Sequence, residues 1–563
     1  MDQSDTNIIK KKITLKTNKT DQLLYILQSI FGLTNFRPKQ EKIINNILAG
    51  RDLLVLLPTG SGKSLCYQLP AVISEGVTIV ISPLLALIND QIQFLNRIGI
   101  KSYYYNSQIQ SQEKKQLFDD LSKKKPVCQL LYTTPETIVN NLGFRNQLDQ
   151  LYKKKLMSRI IIDEAHCVSN WGHEFRPSYL QLKQLKSIFP QIQVVALTAT
   201  ATPKVQIDII KQLNMQNISI HKQSFVRPNL SYQIRPKNKS TVVLEMSRII
   251  KEKYRNQSGI IYCLSRQDCM DVCQQLQSYE IKAEYFHAGL NNEKKKKIQA
   301  EWQNDTIHII VATIAFGLGI NKPDVRFVFH HSLPKSIEGY YQETGRAGRD
   351  NLSADCILFY CSQDRRTLEY LIKQQSIDAP TTNLSLIEYI CDFCRNTLDC
   401  RKKQLSVYLG EYLDYQCHNQ INNNYCDNCN RKELPIKENW DTYVDQLNRL
   451  FDDQKRFSKK DLMTRLIQIF SFTQTDTRRL IDSLIIQGYL NLKTILAKSA
   501  EIIEYYQVSD RCSIQQLQLA LVDNKNILSY FAPVSRQIPK VQSIQESQPI
   551  QESQTNSRIT TNL

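Results

Sequence analysis

No stretch of the sequence comes near the roughly eighteen consecutive apolar residues that a membrane-spanning helix requires, so a soluble or peripherally bound protein with no membrane partner is expected. The first thirty residues are polar and basic and lack the apolar core of a secretory signal. Without export, the 15 cysteines read as thiols in a reducing compartment rather than as a disulfide framework. Acidic charge is in deficit too. Against 72 Lys and Arg stand 54 Asp and Glu, a formal net charge of +18 that suits a polyanion such as nucleic acid, although solvated lysine faces give the same balance. Lys10-Lys11-Lys12 fits a nuclear address or, more plainly, a solvated run. At 563 residues the chain exceeds what one hydrophobic core organises, and three or four domains are expected.

What is present is a rhythm. Short apolar runs at 53–57, 77–81, 128–132, 159–162 and 194–197 alternate with longer helical patterns, which reads as a parallel sheet with crossover helices. A second series at 258–263, 283–286, 307–311, 325–329 and 356–360 predicts another α/β domain in tandem, with 225–239, containing Pro228 and Pro236, as the connector. Cysteines at a metal-like spacing follow, and then an α-rich region from Trp440 to about Asp523. After Phe531 the chain is rich in Gln and Ser and repeats Ile-Gln-Glu-Ser-Gln at 544–548 and 550–554. That composition cannot offset its ordering entropy, so the tail reads as disordered.

Leu57-Pro58-Thr59-Gly60-Ser61-Gly62-Lys63-Ser64 follows an apolar strand and precedes a helical pattern, the context a phosphate loop requires. Thr59, Gly60, Ser61 and Gly62 would curl backbone N–H groups toward phosphates, Lys63 would meet the β/γ oxygens, and Ser64 would ligate Mg²⁺. Leu57 stands where the general pattern has its first Gly. Asp163-Glu164-Ala165-His166 comes straight after a strand, so its carboxylates emerge at a strand's C-terminal end, where open α/β sheets bind ligands. Asp163 would hold Mg²⁺ and Glu164 would orient and deprotonate the attacking water. Thr198-Ala199-Thr200-Ala201 ends the next strand, as a nucleotide sensor or merely a small-residue turn.

In order and flanking sequence these motifs resemble superfamily 2 helicases, and within them the RecQ family, over roughly residues 21 to 430. Phe36-Arg37-Pro38 with Gln40 resembles the family's adenine-recognition motif, which implies that Gln40 reads the base edge and Arg37 supports the nucleotide. Residues 81–91 and 132–136 resemble its first DNA-contacting segments. Trp171-Gly172-His173-Glu174-Phe175-Arg176-Pro177 resembles the aromatic-rich loop, with Glu174 where the family usually has Asp. Trp171 and Phe175 would stack on bases, with His173 and Arg176 beside them, although a core cluster is the plainer alternative. Residues 286–290, with His287, and 311–324 resemble the strand-grip motifs, Leu318 standing where Met is common. Residues 341–350 carry Arg349 as the implied arginine finger, with Arg346 and Gln342 beside it, reaching across a domain cleft to the γ-phosphate.

Cys400, Cys417, Cys426 and Cys429 offer four thiolates for a closed, tetrahedral and therefore structural Zn²⁺ site, and they resemble the family's zinc signature. Cys391 and Cys394 make a competing CxxC pair, read as helix-face packing. The resemblance implies an α/β fold of two tandem RecA-like parallel-sheet domains, a zinc-binding helical subdomain and a winged-helix domain. Its boundaries are a basic disordered tail at 1–20, an ATP-binding domain at 21–222, a second helicase domain at 223–365, the zinc subdomain at 366–435, the winged helix at 436–523 and a disordered tail at 524–563. Tyr489, Tyr505 or Tyr506 of the β-wing would stack on an opened base pair. No further helical (HRDC) module is expected. Residues 524–531 resemble a sliding-clamp-binding motif that aims Ile527, Tyr530 and Phe531 at one pocket, with core packing as the plainer alternative. The resemblance implies an ATP-dependent, Mg²⁺-requiring 3′-to-5′ DNA helicase acting in the nucleus on single-stranded and forked or branched DNA, in recombination, repair and replication. The alternatives are an RNA helicase and a DNA-binding or annealing scaffold that does not unwind.

Overall fold

The computed structural model describes residues 19–521 apart from residues 84, 107–108, 170–175, 315, 318–321, 376–380, 398, 414–416, 418–424, 431–435, 440, 487–489, 497–501 and 509–517. Strands β1 (Leu53–Leu56), β2 (Val77–Ile81), β3 (Ser102–Tyr105), β4 (Leu130–Thr133), β5 (Met157–Ile162), β6 (Gln193–Thr198) and β7 (Ser219–Lys222) form one sheet in the order β3-β4-β2-β5-β6-β1-β7. Every pairing is parallel. Helices cover both faces, which is why β1 and β2 are buried at every position and almost wholly apolar rather than alternating with polar residues. Successive side chains still part company. Leu54, Ile79, Ile81, Ile160 and Ile162 enter one core, while Leu53, Val55, Val80 and Ile161 enter the other.

A second all-parallel sheet contains β8 (Leu230–Pro236), β9 (Gly259–Tyr262), β10 (Ala283–Phe286), β11 (Ile309–Ala312), β12 (Phe327–His330) and β13 (Ala354–Tyr360), in the order β10-β11-β9-β12-β13-β8. The stretch predicted to be a plain connector thus contains β8. Pro228 and Pro236 suggested turns, but Pro236 closes an edge strand, where a missing N–H costs little. The polar edge strands β3 and β7 were likewise unread, because Ser102-Tyr103-Tyr104-Tyr105 and Ser219-Ile220-His221-Lys222 lack an apolar run.

Helices Ser362–Gln375, Thr381–Arg395 and Arg401–Tyr408 follow. Beyond them lie β14 (Ile436–Asn439), β15 (Arg456–Ser458), β16 (Leu490–Leu496), β17 (Ile502–Val508) and β18 (Gln518–Leu521). β14 pairs with β18, and β15, β17 and β16 form a separate antiparallel sheet in that order. Helices Asp441–Asp453, Lys459–Phe470 and Gln474–Ile486 complete this unit around a core of its own, including Leu462, Leu466, Leu480, Leu484 and Leu490. Tyr506 packs half-buried on that core, whereas Tyr489 and the side chain of Tyr505 lie outside the described residues. Both tails, with Ile527, Tyr530 and Phe531, also lie outside them. Among the described residues no helix is long and apolar enough to cross a membrane.

Candidate nucleotide cleft and metal centre

The phosphate loop leaves β1 and turns into helix Lys63–Ile73. Gly60 (φ 82°) and Gly62 (φ 81°) take left-handed backbone conformations that side chains resist, and this curls the loop over the helix N-terminus. Lys63 Nζ donates to Leu57 O at 3.4 Å, back across the loop. The two residues predicted to serve the adenine end are brought onto the same loop. Gln40 Nε2 donates to Ser61 O (3.2 Å) and Gly62 O (3.0 Å), its Oε1 accepts from Arg37 N (2.8 Å), and Arg37 Nη1 donates to Gly60 O. Thr59 Oγ1 is buried without a hydrogen-bond partner, a donor that a phosphate oxygen would satisfy.

Asp163 and Glu164 stand at the end of β5, two strands from the loop in the order β5-β6-β1. Burial, and next the Glu164 carboxylate, push the Asp163 carboxyl up to about 7, partly offset by Lys63. A divalent cation would reverse that shift, and Asp163 with Ser64 provides oxygen donors suited to Mg²⁺. Glu164 is held at φ 49°, a strained position for a residue with a Cβ. Its Oε2 lies 3.3 Å from His166 Nδ1, which is 2.9 Å from Thr198 Oγ1. Thr198 Oγ1 donates to Thr200 O (3.1 Å), and Thr200 Oγ1 accepts from Gln342 Nε2 (3.1 Å) of the second lobe. A polar path therefore runs from Glu164 across the cleft.

Ser336 caps helix Ile337–Thr344 by accepting from Gly339 N at 3.1 Å, which aims the following turn at the first lobe. A Cβ on Gly60 would stand 3.1 Å from Arg349 Cγ, so that side chain lies directly against the phosphate loop. Burial, with Arg346 and Arg227 nearby, lowers the Arg349 guanidinium to about 9. The Nε of buried Arg346 has no hydrogen-bond partner. Crowded cations of this kind suit a polyphosphate. Arg227, which sequence reasoning passed over, joins them. It donates to Thr59 O (3.0 Å) and to Ala347 O (3.2 Å) and Gly348 O (2.9 Å). These three partners are backbone carbonyls, which leave no side-chain signature to find.

Of the residues predicted to touch DNA, Trp171, His173 and Phe175 lie outside the described residues, as do Leu318 and its neighbours through residue 321. Arg176 does not point outward alone. Its Nη1 donates to Pro83 O (3.2 Å), bracing the 81–91 segment. His287 follows β10, stacks on Tyr285 at 5.6 Å between ring centroids, and buries both ring nitrogens without a partner. Burial, and next the charges of Arg266, Lys294 and Lys295, lower its pKa.

The sulfur atoms of Cys400, Cys417, Cys426 and Cys429 all lie within 4.8 Å of one another, a donor set that fits tetrahedral Zn²⁺. Arg401 N and Cys429 N each approach Cys426 Sγ at 3.4 Å, hydrogen bonds that stabilise a thiolate. Cys391 and Cys394 instead pack in the main core. Buried Arg401 grips Asp427 with two bonds (2.9 and 3.0 Å) and also donates to Asn396 O (2.6 Å). Asp427 in turn binds the rim of the second sheet, its N donating to Tyr232 O (3.0 Å) and its Oδ2 accepting from Ile234 N (2.9 Å).

Three family models match in succession: DEAD/DEAH box helicase over residues 37–208, helicase conserved C-terminal domain over 239–351, and RecQ zinc-binding over 362–430. The fold and cleft are those of the two-lobed DEAD/DEAH box class, and the matches imply ATP, Mg²⁺ and Zn²⁺ as cofactors. ATP-dependent DNA helicase Q1 of Rattus norvegicus is 36% identical, over 79% of this chain and 70% of that protein. The chain belongs to the RecQ family of helicases. ATP-dependent DNA helicase hus2/rqh1 of Schizosaccharomyces pombe is 45% identical over 80% of this chain, which spans 34% of that relative's length. The solved structure of DUF1998 helicase MrfA bound to DNA and AMPPNP shares the fold, with a TM-score of 0.52 at 17% identity over 88% of this chain and 63% of that one.

Proposed function

We propose that the chain is an ATP-driven DNA helicase that moves 3′ to 5′ along single-stranded DNA and opens forked or branched duplexes, in nuclear recombination, repair and replication. The observation that carries this reading is the seating of Arg349 against Gly60, in the cleft that also holds Lys63, Asp163 and Glu164. Lys63 and the loop N–H groups would hold the phosphates, with Arg37 and Gln40 at the adenine end. Ser64 and Asp163 would hold Mg²⁺, which neutralises charge on the phosphates. Glu164 would take the proton of the attacking water, and Arg346 and Arg349 would steady the transferring phosphoryl group. Loss of that group would free the arginines and reopen the cleft, while Gln342 and Thr200 report its state to the carboxylates.

DNA as the substrate rests on the names of the relatives, and Trp171, His173, Phe175, Arg176 and His287 are the proposed contacts. The unit around β15, β16 and β17 is proposed as a winged helix, supported by its helices and antiparallel pair. The domain limits given above are proposed with it. Ile527, Tyr530 and Phe531 are proposed to meet a sliding clamp, so deletion of 524–531 should abolish clamp binding and leave hydrolysis intact.

The test is ATP hydrolysis by the purified chain with single-stranded DNA, with RNA and with neither, beside strand separation on a 3′-tailed duplex. DNA-stimulated hydrolysis with unwinding, both lost in Glu164→Gln, is the expected result. Stimulation by RNA alone would assign the motor to RNA. Binding without hydrolysis would make it a scaffold.

A further inference from the structure

The arginine-bearing turn and the phosphate loop belong to different lobes, so something must set the distance between them. Most bonds around Arg227 stay within the second lobe. Its Nη2 donates to Ala347 O and Gly348 O, the two carbonyls between Arg346 and Arg349. Asn229 Nδ2 adds bonds to Gly348 O (2.8 Å) and Leu352 O (2.9 Å), and Arg227 Nε reaches Asn229 Oδ1 at 3.4 Å. Two residues upstream, Phe225 O accepts from Tyr341 Oη at 2.8 Å, and the two rings meet edge to face at 6.0 Å. Residues 225–229 are thereby fastened to the helix and turn that carry the arginines. The remaining bond, from Nη1 to Thr59 O at 3.0 Å, crosses to the phosphate loop. A guanidinium is suited to this task, because its planar fork holds several acceptors at fixed angles where an ammonium offers one flexible charge.

We propose that Arg227 is a positioning residue for hydrolysis. It latches the turn bearing Arg346 and Arg349 to the carbonyl of Thr59 and so sets how the finger arginine meets the phosphates, without touching them itself. The proposal rests on the reading of the cleft as an ATP-hydrolysing site. Misplacing a reacting group by about 1 Å costs on the order of 10²-fold in rate, which is the loss expected for Arg227→Ala in kcat of DNA-stimulated hydrolysis. Binding of a fluorescent, non-hydrolysable ATP analogue should change by less than about threefold, since Lys63, Arg37 and Gln40 are untouched. Arg227→Lys should not rescue kcat.

The decisive measurement is a double-mutant cycle in the full chain with Arg349→Ala. If Arg227 acts through Arg349, the double variant turns over no more slowly than Arg349→Ala alone. Multiplicative losses, full activity in Arg227→Lys, or an unchanged kcat in Arg227→Ala would each overturn the proposal. Thermal unfolding identifies a variant that is merely unstable, and in that case the lysine variant alone decides by its kcat. An inactive wild-type chain would instead overturn the cleft reading and this proposal together.

Discussion

The nucleotide cleft and the zinc-binding module both bury arginine, and they treat it in opposite ways. In the module, Arg401 faces Asp427 through two bonds and the backbone carbonyls of Phe393 and Asn396 through two more, so its charge is answered within the fold. In the cleft, burial and then the neighbouring charges of Arg346 and Arg227 lower the affinity of Arg349 for its proton, and the Arg346 Nε and the Thr59 hydroxyl are buried without partners. A buried cation that is fully matched serves permanence. Cations crowded together serve an anion that comes and goes.

The comparison can be broken at several points. Arg349→Ala should lower DNA-stimulated phosphate release by on the order of 10³-fold or more while leaving the thermal midpoint nearly unchanged. A variant that hydrolyses ATP normally would show that the cleft arginine is structural, like its counterpart in the module. Glu164→Gln should cost between about 10²- and 10⁴-fold in kcat and retain nucleotide binding, measured by fluorescence titration. Lost binding with preserved turnover of the bound fraction would remove Glu164 from the proton-transfer role.

In the module the outcome should invert. Asp427→Asn leaves Arg401 buried and half answered, at a cost of about 3 kcal/mol in denaturant unfolding, whereas hydrolysis per folded molecule should hold steady. A fall in turnover without a fall in stability would erase the distinction between the two regions. The smallest effect is expected at Gln342→Ala, which removes one hydrogen bond across the cleft, worth about 1 kcal/mol. A several-fold weaker stimulation of hydrolysis by DNA would register it, and no change would sever the path from Glu164 through His166 and Thr200.

How much of this was legible in the sequence depended on where the information resides. The phosphate loop, the Asp163-Glu164 pair and the four cysteines carry their chemistry in side chains at fixed spacing, and the fold brings each set together. The buried strands β1 and β2 lie within the predicted runs, because a parallel strand covered on both faces needs apolar residues and a polar edge strand does not. For the same reason β3, β7 and β8 escaped notice. Arg227 was hidden for another reason: it binds main-chain carbonyls some 120 and 168 positions away, and no local pattern announces such partners. Arg176, expected beside the aromatic residues of its loop, likewise has a main-chain partner that no local pattern announces, the carbonyl of Pro83.

The bonds from Asp427 to Tyr232 and Ile234 have a consequence for solution behaviour. β8 is the last strand of its sheet, and two groups on its outward edge, the Tyr232 C=O and the Ile234 N–H, are taken by the module instead of being offered to a neighbouring molecule. The thiolate cluster keeps Asp427 in place through Cys426 and Cys429 on either side. Zinc held by these thiolates would therefore guard solubility as well as shape, since a chain stripped of it would leave that strand edge open to pairing with its own kind.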